Sequence, residues 1–245
     1  MFSRVRLVYW LSLGLLALAA ASIQAQSTQN ATRYESMRLT QDGIGKRYLG
    51  REIAGVMGWQ GASWLERQER EKEERTDLLL RDLNLMPGLV IADIGAGTGY
   101  LSRQMARQVG PKGVVYAVDV QPEMIQIMQG LAKSAQVNNI KPVLSTTTRT
   151  NLPDGSIDLA IMVDVYHELE FPYEMLSSMI ASLKPGGQLV FVEYRSEDTS
   201  VPIKEVHKMS EAQVRKEVAV FPELQWERTS KRLPWQHVVV FRKQP

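Results

Sequence analysis

The apolar positions of this chain change their spacing twice, and each change marks a segment. The first segment is one continuous run. Arg4 and Arg6 precede an apolar stretch from Leu7 to Ala21, and Ile23-Gln24-Ala25 stands before Gln26. A basic start, a short apolar centre and a small-residue exit are the parts of a secretory signal, with cleavage after Ala25. The run is shorter than the roughly 18 to 20 apolar residues that span a bilayer. The pattern therefore predicts a signal peptide over 1–25, export to the periplasm and no membrane anchor once it is removed. Left uncleaved, it would hold the chain at the inner membrane.

Over 26–85 the apolar residues are spaced for helices. After a polar lead to Arg33, the stretch from Tyr34 to Leu85 predicts a mostly helical extension, broken by Gly43, Gly45 and Gly50 and closed by Pro87-Gly88. Its charge run, Glu66 to Arg75, sets Glu66/Arg70 and Glu71/Arg75 at i,i+4, the spacing of a solvated helix face. Leu78, Leu79, Leu80, Leu83 and Leu85 form a stripe that would dock this helix on the domain beginning at residue 86.

From residue 86 onward short apolar runs alternate with helical periods, the mark of βα units and a parallel sheet covered on both faces. Strands are predicted near Leu89–Ile94, Val114–Val120, Lys141–Ser145, Leu159–Val163 and Gln188–Glu193. Helices are predicted from Tyr100, from Pro122 and over Pro172–Leu183. The tail departs from this alternation: Leu224–Thr229 and His237–Phe241 have no helix between them, which predicts an antiparallel hairpin at the sheet edge.

Composition narrows the class. The 245 residues suit one core with an appendage, and 44% apolar with 23% charged residues is ordinary for a globular chain. Cleavage of the signal leaves 27 basic against 27 acidic residues, without the basic excess typical of nucleic-acid binding. The chain has no cysteine, so disulfides, cysteine nucleophiles and thiolate metal sites are excluded. Its three histidines lack clustered spacing and predict no metal site.

The candidate chemistry begins at Val90-Ile91-Ala92-Asp93-Ile94-Gly95-Ala96-Gly97-Thr98-Gly99-Tyr100, a buried strand entering a glycine turn that opens a helix. Such a turn lets a ligand approach the backbone and the positive helix end. A dinucleotide fingerprint would need glycine at the position of Tyr100. Asp119 closes the second strand, where a carboxylate can accept hydrogen bonds from ribose hydroxyls or cap the next helix. Leu152-Pro153-Asp154-Gly155-Ser156-Ile157-Asp158 leads into the fourth strand, and Leu183-Lys184-Pro185-Gly186-Gly187 into the fifth.

In this order the motifs resemble those of class I, Rossmann-like S-adenosylmethionine-dependent methyltransferases, over Pro87 to about Tyr194. The resemblance implies an α/β fold with a seven-stranded, mostly parallel sheet ending in an antiparallel hairpin, occupying 86–245. It also implies S-adenosylmethionine as cofactor, with Asp93, Gly95, Ala96, Gly97, Gly99, Asp119, Val120, Thr148 and Asp164 as its contacts. Many relatives carry an acidic residue before the Leu-Pro step; here Thr146 to Asn151 stands there, and Thr148 or a backbone carbonyl would receive the adenine amino group.

Ligands of open α/β sheets bind beyond the carboxyl ends of the strands. The loops there hold Asp164-Val165-Tyr166-His167-Glu168 and Glu193-Tyr194-Arg195-Ser196-Glu197-Asp198. His167 is the candidate catalytic base, since imidazole exchanges protons near neutral pH; Asp164 or Glu168 would orient it, and Tyr166 would touch cofactor or substrate. Its other reading is a cap or packing residue of the next helix. His207 follows a long connection and reads either as part of a substrate lid or as an exposed loop histidine, and His237 sits in the terminal strand as a structural residue. The expected activity is methyl transfer to a small molecule or a protein side chain. The competing functions are an exported nucleoside-binding protein without catalysis and a nicotinamide-dependent oxidoreductase.

Overall fold

The computed structural model describes residues 33–245. The signal over 1–25 and most of the polar lead lie outside the described residues. Among the described residues no helix is long and apolar enough to cross a membrane.

The extension departs from its predicted helical character. Three strands, β1 (Tyr34–Ser36), β2 (Gly43–Tyr48) and β3 (Arg51–Ala54), form an antiparallel sheet in that order. The turn between β2 and β3 decides this. Leu49 and Gly50 both take positive φ, at 46° and 89°, and Tyr48 pairs with Arg51 across them, the two-residue loop that matches the twist of a hairpin. A 3-10 turn at Trp59–Gly61 leads into α1 (Ala62–Leu65), followed by α2 (Arg70–Glu74) and α3 (Thr76–Leu83).

The charge run is also not a solvated face. Arg75, in the left-handed region at φ 53°, breaks the helix between α2 and α3 and changes its register. Arg70 and Glu74 are buried and bonded to each other at 2.8 Å, Arg67 reaches the other Glu74 oxygen at 2.7 Å, and Glu66 pairs with Arg103. The expected leucine stripe does dock, with Leu79, Leu80 and Leu83 buried against the main sheet.

That sheet has seven strands: β4 (Val90–Ile94), β5 (Val114–Asp119), β6 (Ile140–Leu144), β7 (Ile157–Val163), β8 (Leu183–Tyr194), β9 (Leu224–Ser230) and β10 (Gln236–Lys243). Their order is β6-β5-β4-β7-β8-β10-β9, parallel except for β10, which runs antiparallel to both β8 and β9. Between them stand α4 (Tyr100–Val109), α5 (Pro122–Ser134), α6 (Pro172–Ser182) and α7 (Glu211–Val218).

Strand alternation divides the core into two layers. Ala160, Met162, Leu189 and Phe191 face α6 and α7, while Leu159, Ile161, Val190 and Val192 face α3 and α4. A sheet apolar on both faces must be covered on both, and these helices cover it. The chain runs outward from β4 in both directions, to β5 and β6 on one side and to β7 and β8 on the other. The β4/β7 boundary is therefore the topological switch point, where open α/β sheets bind ligands.

Candidate active site

At the switch point Ile94 runs into a turn in which Gly95 and Gly97 take φ of 68° and 55°. A Cβ on Gly95 would stand 2.6 Å from both methyl groups of Val165, in the loop after β7, and one on Gly97 would stand 2.6 Å from Leu65 of α1. The dihedral angle favours glycine at both positions, and at Gly95 the β-branched Val165 leaves no room for a side chain as well. Asp119 stabilises the turn: its Oδ2 accepts from the Gly97 amide at 2.9 Å and its Oδ1 from the Gln121 amide at 2.9 Å. An ionised carboxylate offers about four lone pairs, so two remain for a ligand. Burial raises the Asp119 carboxyl above its ordinary range, against the hydrogen bonds that lower it. Deeper in β4, Asp93 accepts from the Ser102 hydroxyl at 2.5 Å, and burial lifts its carboxyl to about 6.

A cavity of about 740 Å³ opens on this turn. Asp93, Gly95, Ala96, Gly97, Asp119, Val120 and Asp164 line it, as do His167, Glu168 and His207. Two of the expected contacts are placed otherwise. Gly99 starts α4 beneath Met128, and Thr148 turns its hydroxyl to Thr146, so that Ser145, Thr146 and Thr147 form that rim of the cavity. The extension supplies the opposite wall through Ile44, Val56, Met57, Trp64 and Arg70. The turn at Leu49-Gly50 was the signal for the hairpin in that wall. Arg70 had none, because a charge run at helical spacing carries no mark of burial.

His167 is held differently from the expectation. Its Nδ1 lies 2.6 Å from Glu193 Oε2, and the other Glu193 oxygen accepts from the Tyr166 amide at 2.8 Å. Glu193, at the end of β8, is fully buried, so it orients the ring. Asp164 does not bond to His167. Positive φ at Asp164 (54°) turns its carboxylate toward Gln236, which donates to Oδ2 at 3.2 Å, while Oδ1 is buried without a hydrogen-bond partner among the described residues. Burial, with Glu74 and Glu193 nearby, raises the Asp164 carboxyl well above its usual range. Glu168 takes the Met57 amide at 3.2 Å on Oε2 and turns Oε1 toward both histidines, 3.8 Å from His167 Nε2 and 3.5 Å from His207 Nδ1. His207 is not a free loop residue: its Nδ1 lies 3.1 Å from His167 Nε2. Tyr166 does not line the cavity; it is buried edge-on against Phe191. His237 is buried, with neither ring nitrogen hydrogen-bonded among the described residues.

A family model described as a methyltransferase domain matches residues 85–236, more than half of the chain. The chain belongs to this methyltransferase family. Its cofactor is S-adenosylmethionine, and a polar, glycine-walled turn beside a carboxylate with free lone pairs fits a nucleoside cofactor. Among curated proteins the methyltransferase is 30% identical over 105 residues to the ubiquinone/menaquinone biosynthesis C-methyltransferase UbiE of Stutzerimonas stutzeri (strain A1501), covering 42% of this chain and 41% of that protein. It thus spans about two fifths of the length of the curated relatives it matches. Among solved structures, a SAM dependent methyltransferase from Aquifex aeolicus superposes with a TM-score of 0.72 at 22% identity, over 77% of this chain and all of that one. The arsenic(III) S-adenosylmethionine methyltransferase CrArsM of Chlamydomonas reinhardtii gives 0.51 at 20% identity, over 66% and 65%. These two likenesses are likenesses of fold.

Proposed function

We propose that the methyltransferase moves the methyl group of S-adenosylmethionine to a small acceptor with a largely apolar body, releasing S-adenosylhomocysteine. One observation carries this reading: a single cavity is lined both by the Gly95–Gly97 turn with Asp119 and by the polar wall of His167, Glu168 and His207. Donor and acceptor can therefore meet without a domain movement.

Asp119 would receive the ribose hydroxyls on its remaining lone pairs. Ser145 to Thr147 would border the adenine, and the orphaned Asp164 oxygen would accept from the ammonium of the methionine moiety. Bound S-adenosylmethionine supplies an electrophilic methyl on a sulfonium; the protein's part is to align the nucleophile in line and to take its proton where it has one. His167 is the group placed for that proton. With its proton on Nδ1, toward Glu193, the ring would keep the Nε2 lone pair at the cavity, 3.1 Å from His207 Nδ1, so that His207 would have to release it before it takes a proton from the acceptor.

The apolar character of the acceptor rests on the roof, where Ile44, Val56, Met57, Trp64, Pro202 and Ile203 line the same space. The name of the UbiE relatives, which places them in ubiquinone and menaquinone synthesis, supports an apolar acceptor class without specifying it. Isothermal titration of the full chain with S-adenosylmethionine, S-adenosylhomocysteine and NAD tests the reading. Micromolar binding of the first two, weakened at least tenfold by Asp119→Ala, is expected. Binding of NAD alone, or of none of the three, would overturn it.

A further inference from the structure

The polar wall has a second property that acid-base chemistry does not use. His167 and His207 are forty residues apart, yet the connection after β8 returns His207 to the loop after β7, and Glu168 completes a set of three donors. We propose that His167 Nε2, His207 Nδ1 and Glu168 Oε1 bind one zinc ion, with a fourth coordination position open to the cavity.

Spacing is the first argument. The three donor atoms stand 3.1, 3.8 and 3.5 Å apart. Bonds of about 2.0 to 2.1 Å at tetrahedral angles put ligand atoms about 3.3 to 3.4 Å apart, whereas right-angled octahedral neighbours at those lengths stand about 2.8 to 3.0 Å apart. The observed triangle is centred on the tetrahedral value. Small adjustments of two side chains would close it.

The donor set is the second argument. Two imidazoles and one carboxylate, with a free position, make the ligand set of catalytic rather than structural zinc. The two rings are not stacked but lie at 85° with centroids 5.1 Å apart, and their facing nitrogens stand 3.1 Å from each other.

The surroundings of the ligands are the third. A zinc-bound histidine nearly always gives its other N–H to a carboxylate or carbonyl, which fixes the tautomer. His167 does so to Glu193, whose second oxygen is anchored by the Tyr166 amide. Arg51 Nη1 donates to the His167 backbone carbonyl at 3.1 Å, and the Met57 amide fixes the far oxygen of Glu168. The near oxygen is left for the ion. His207 can carry its own proton on Nε2, which frees Nδ1.

All three ligands line the methyl-transfer cavity, so the open position would face a bound acceptor and take an oxygen or sulfur donor from it. With the ion in place, His167 Nε2 is a ligand and the ion becomes the group that the acceptor meets. The site itself does not depend on the identity of the methyl donor.

The test uses the full chain, stripped with a chelator and titrated with Zn²⁺ against a competing chelator, with Co²⁺ as a spectroscopic substitute. One ion per chain and an intense tetrahedral cobalt spectrum are expected. His207→Ala and Glu168→Gln should each weaken binding more than tenfold, and Glu193→Gln about 10- to 100-fold. Thermal unfolding of each variant identifies any that fails to fold, and the wild-type result stands without them. Absence of stoichiometric binding by the wild type, a weak octahedral cobalt spectrum, or affinity unchanged in folded His207→Ala and Glu168→Gln would each overturn the proposal. None of these measurements involves S-adenosylmethionine, so failure here is separate from failure of the methyl-transfer reading.

Discussion

Replacing Glu217 by alanine isolates what fixes the extension to the catalytic domain. Arg51 of β3 bonds Glu217 of α7 through Nε at 2.7 Å and Nη2 at 2.9 Å, and Gln213 donates to the same carboxylate at 2.8 Å. The Glu217 side chain is fully buried and that of Arg51 is only 9% exposed. Arginine stays charged at any accessible pH, so the variant leaves an unpaired guanidinium in the interior. Each of the two Arg51 hydrogen bonds removed is worth about 1.5 to 3 kcal/mol, and breaking one side of a buried pair costs about 3 to 5 kcal/mol in all. For a chain of this size that is a fall in Tm of about 6 to 20 °C. Glu217→Gln, which keeps an acceptor but not the charge, should lose less. Urea unfolding followed by tryptophan fluorescence measures both, provided that the slope with denaturant is unchanged. A loss below about 1 kcal/mol for Glu217→Ala would refute the claim that this pair is a dry, mutually dependent contact.

The same geometry carries three further outcomes. Gly95→Ala should lower stability by at least about 1 to 2 kcal/mol from its left-handed backbone alone, and abolish cofactor binding as the turn shifts away from Val165. Val165→Ala in addition should recover part of the binding but not the backbone cost, and titration of the pair checks this. Asp93 titrates near 6 in the fold, against about 3.9 unfolded, so the folded state holds its proton more tightly. Its contribution is therefore greatest below about pH 4 and is lost as pH rises through about 6, up to about 3 kcal/mol in all. The stability gap between wild type and Asp93→Asn should thus move in favour of the variant between pH 4 and 7; a gap that stays flat contradicts the burial of a carboxyl there. Arg70→Leu should weaken cofactor binding through loss of a buried, cavity-lining cation and leave Glu74 with Arg67 as its one remaining ion pair, and titration and unfolding of the same sample separate the two effects.

The main sheet was legible because its strands are buried on both faces and therefore appear as unbroken apolar runs, from Val90–Ile94 to Leu189–Val192. The glycine turn, Asp119 and the terminal hairpin were legible because each has a local pattern tied to a backbone requirement. The extension was misread because β2 carries glycines and charges, and only the Leu49-Gly50 turn, with two positive φ values, makes it a hairpin. What holds His167 was not legible at all. Asp164 and Glu168 were neighbours in sequence, but parallel pairing of β7 with β8 sets Glu193 beside it, a contact that depends on register. The meeting of His207 with His167 is likewise a product of the chain's return after β8, and no spacing along the sequence encodes it.

The most direct measurement of the central claim is a crystal structure of the full chain with S-adenosylhomocysteine. The account predicts both ribose hydroxyls within about 3.2 Å of the Asp119 carboxylate, the chain of the ligand along Gly95–Gly97, and its sulfur turned toward the wall of His167, Glu168 and His207. A ligand bound away from Asp119, or one whose sulfur points out of the cavity, would contradict it.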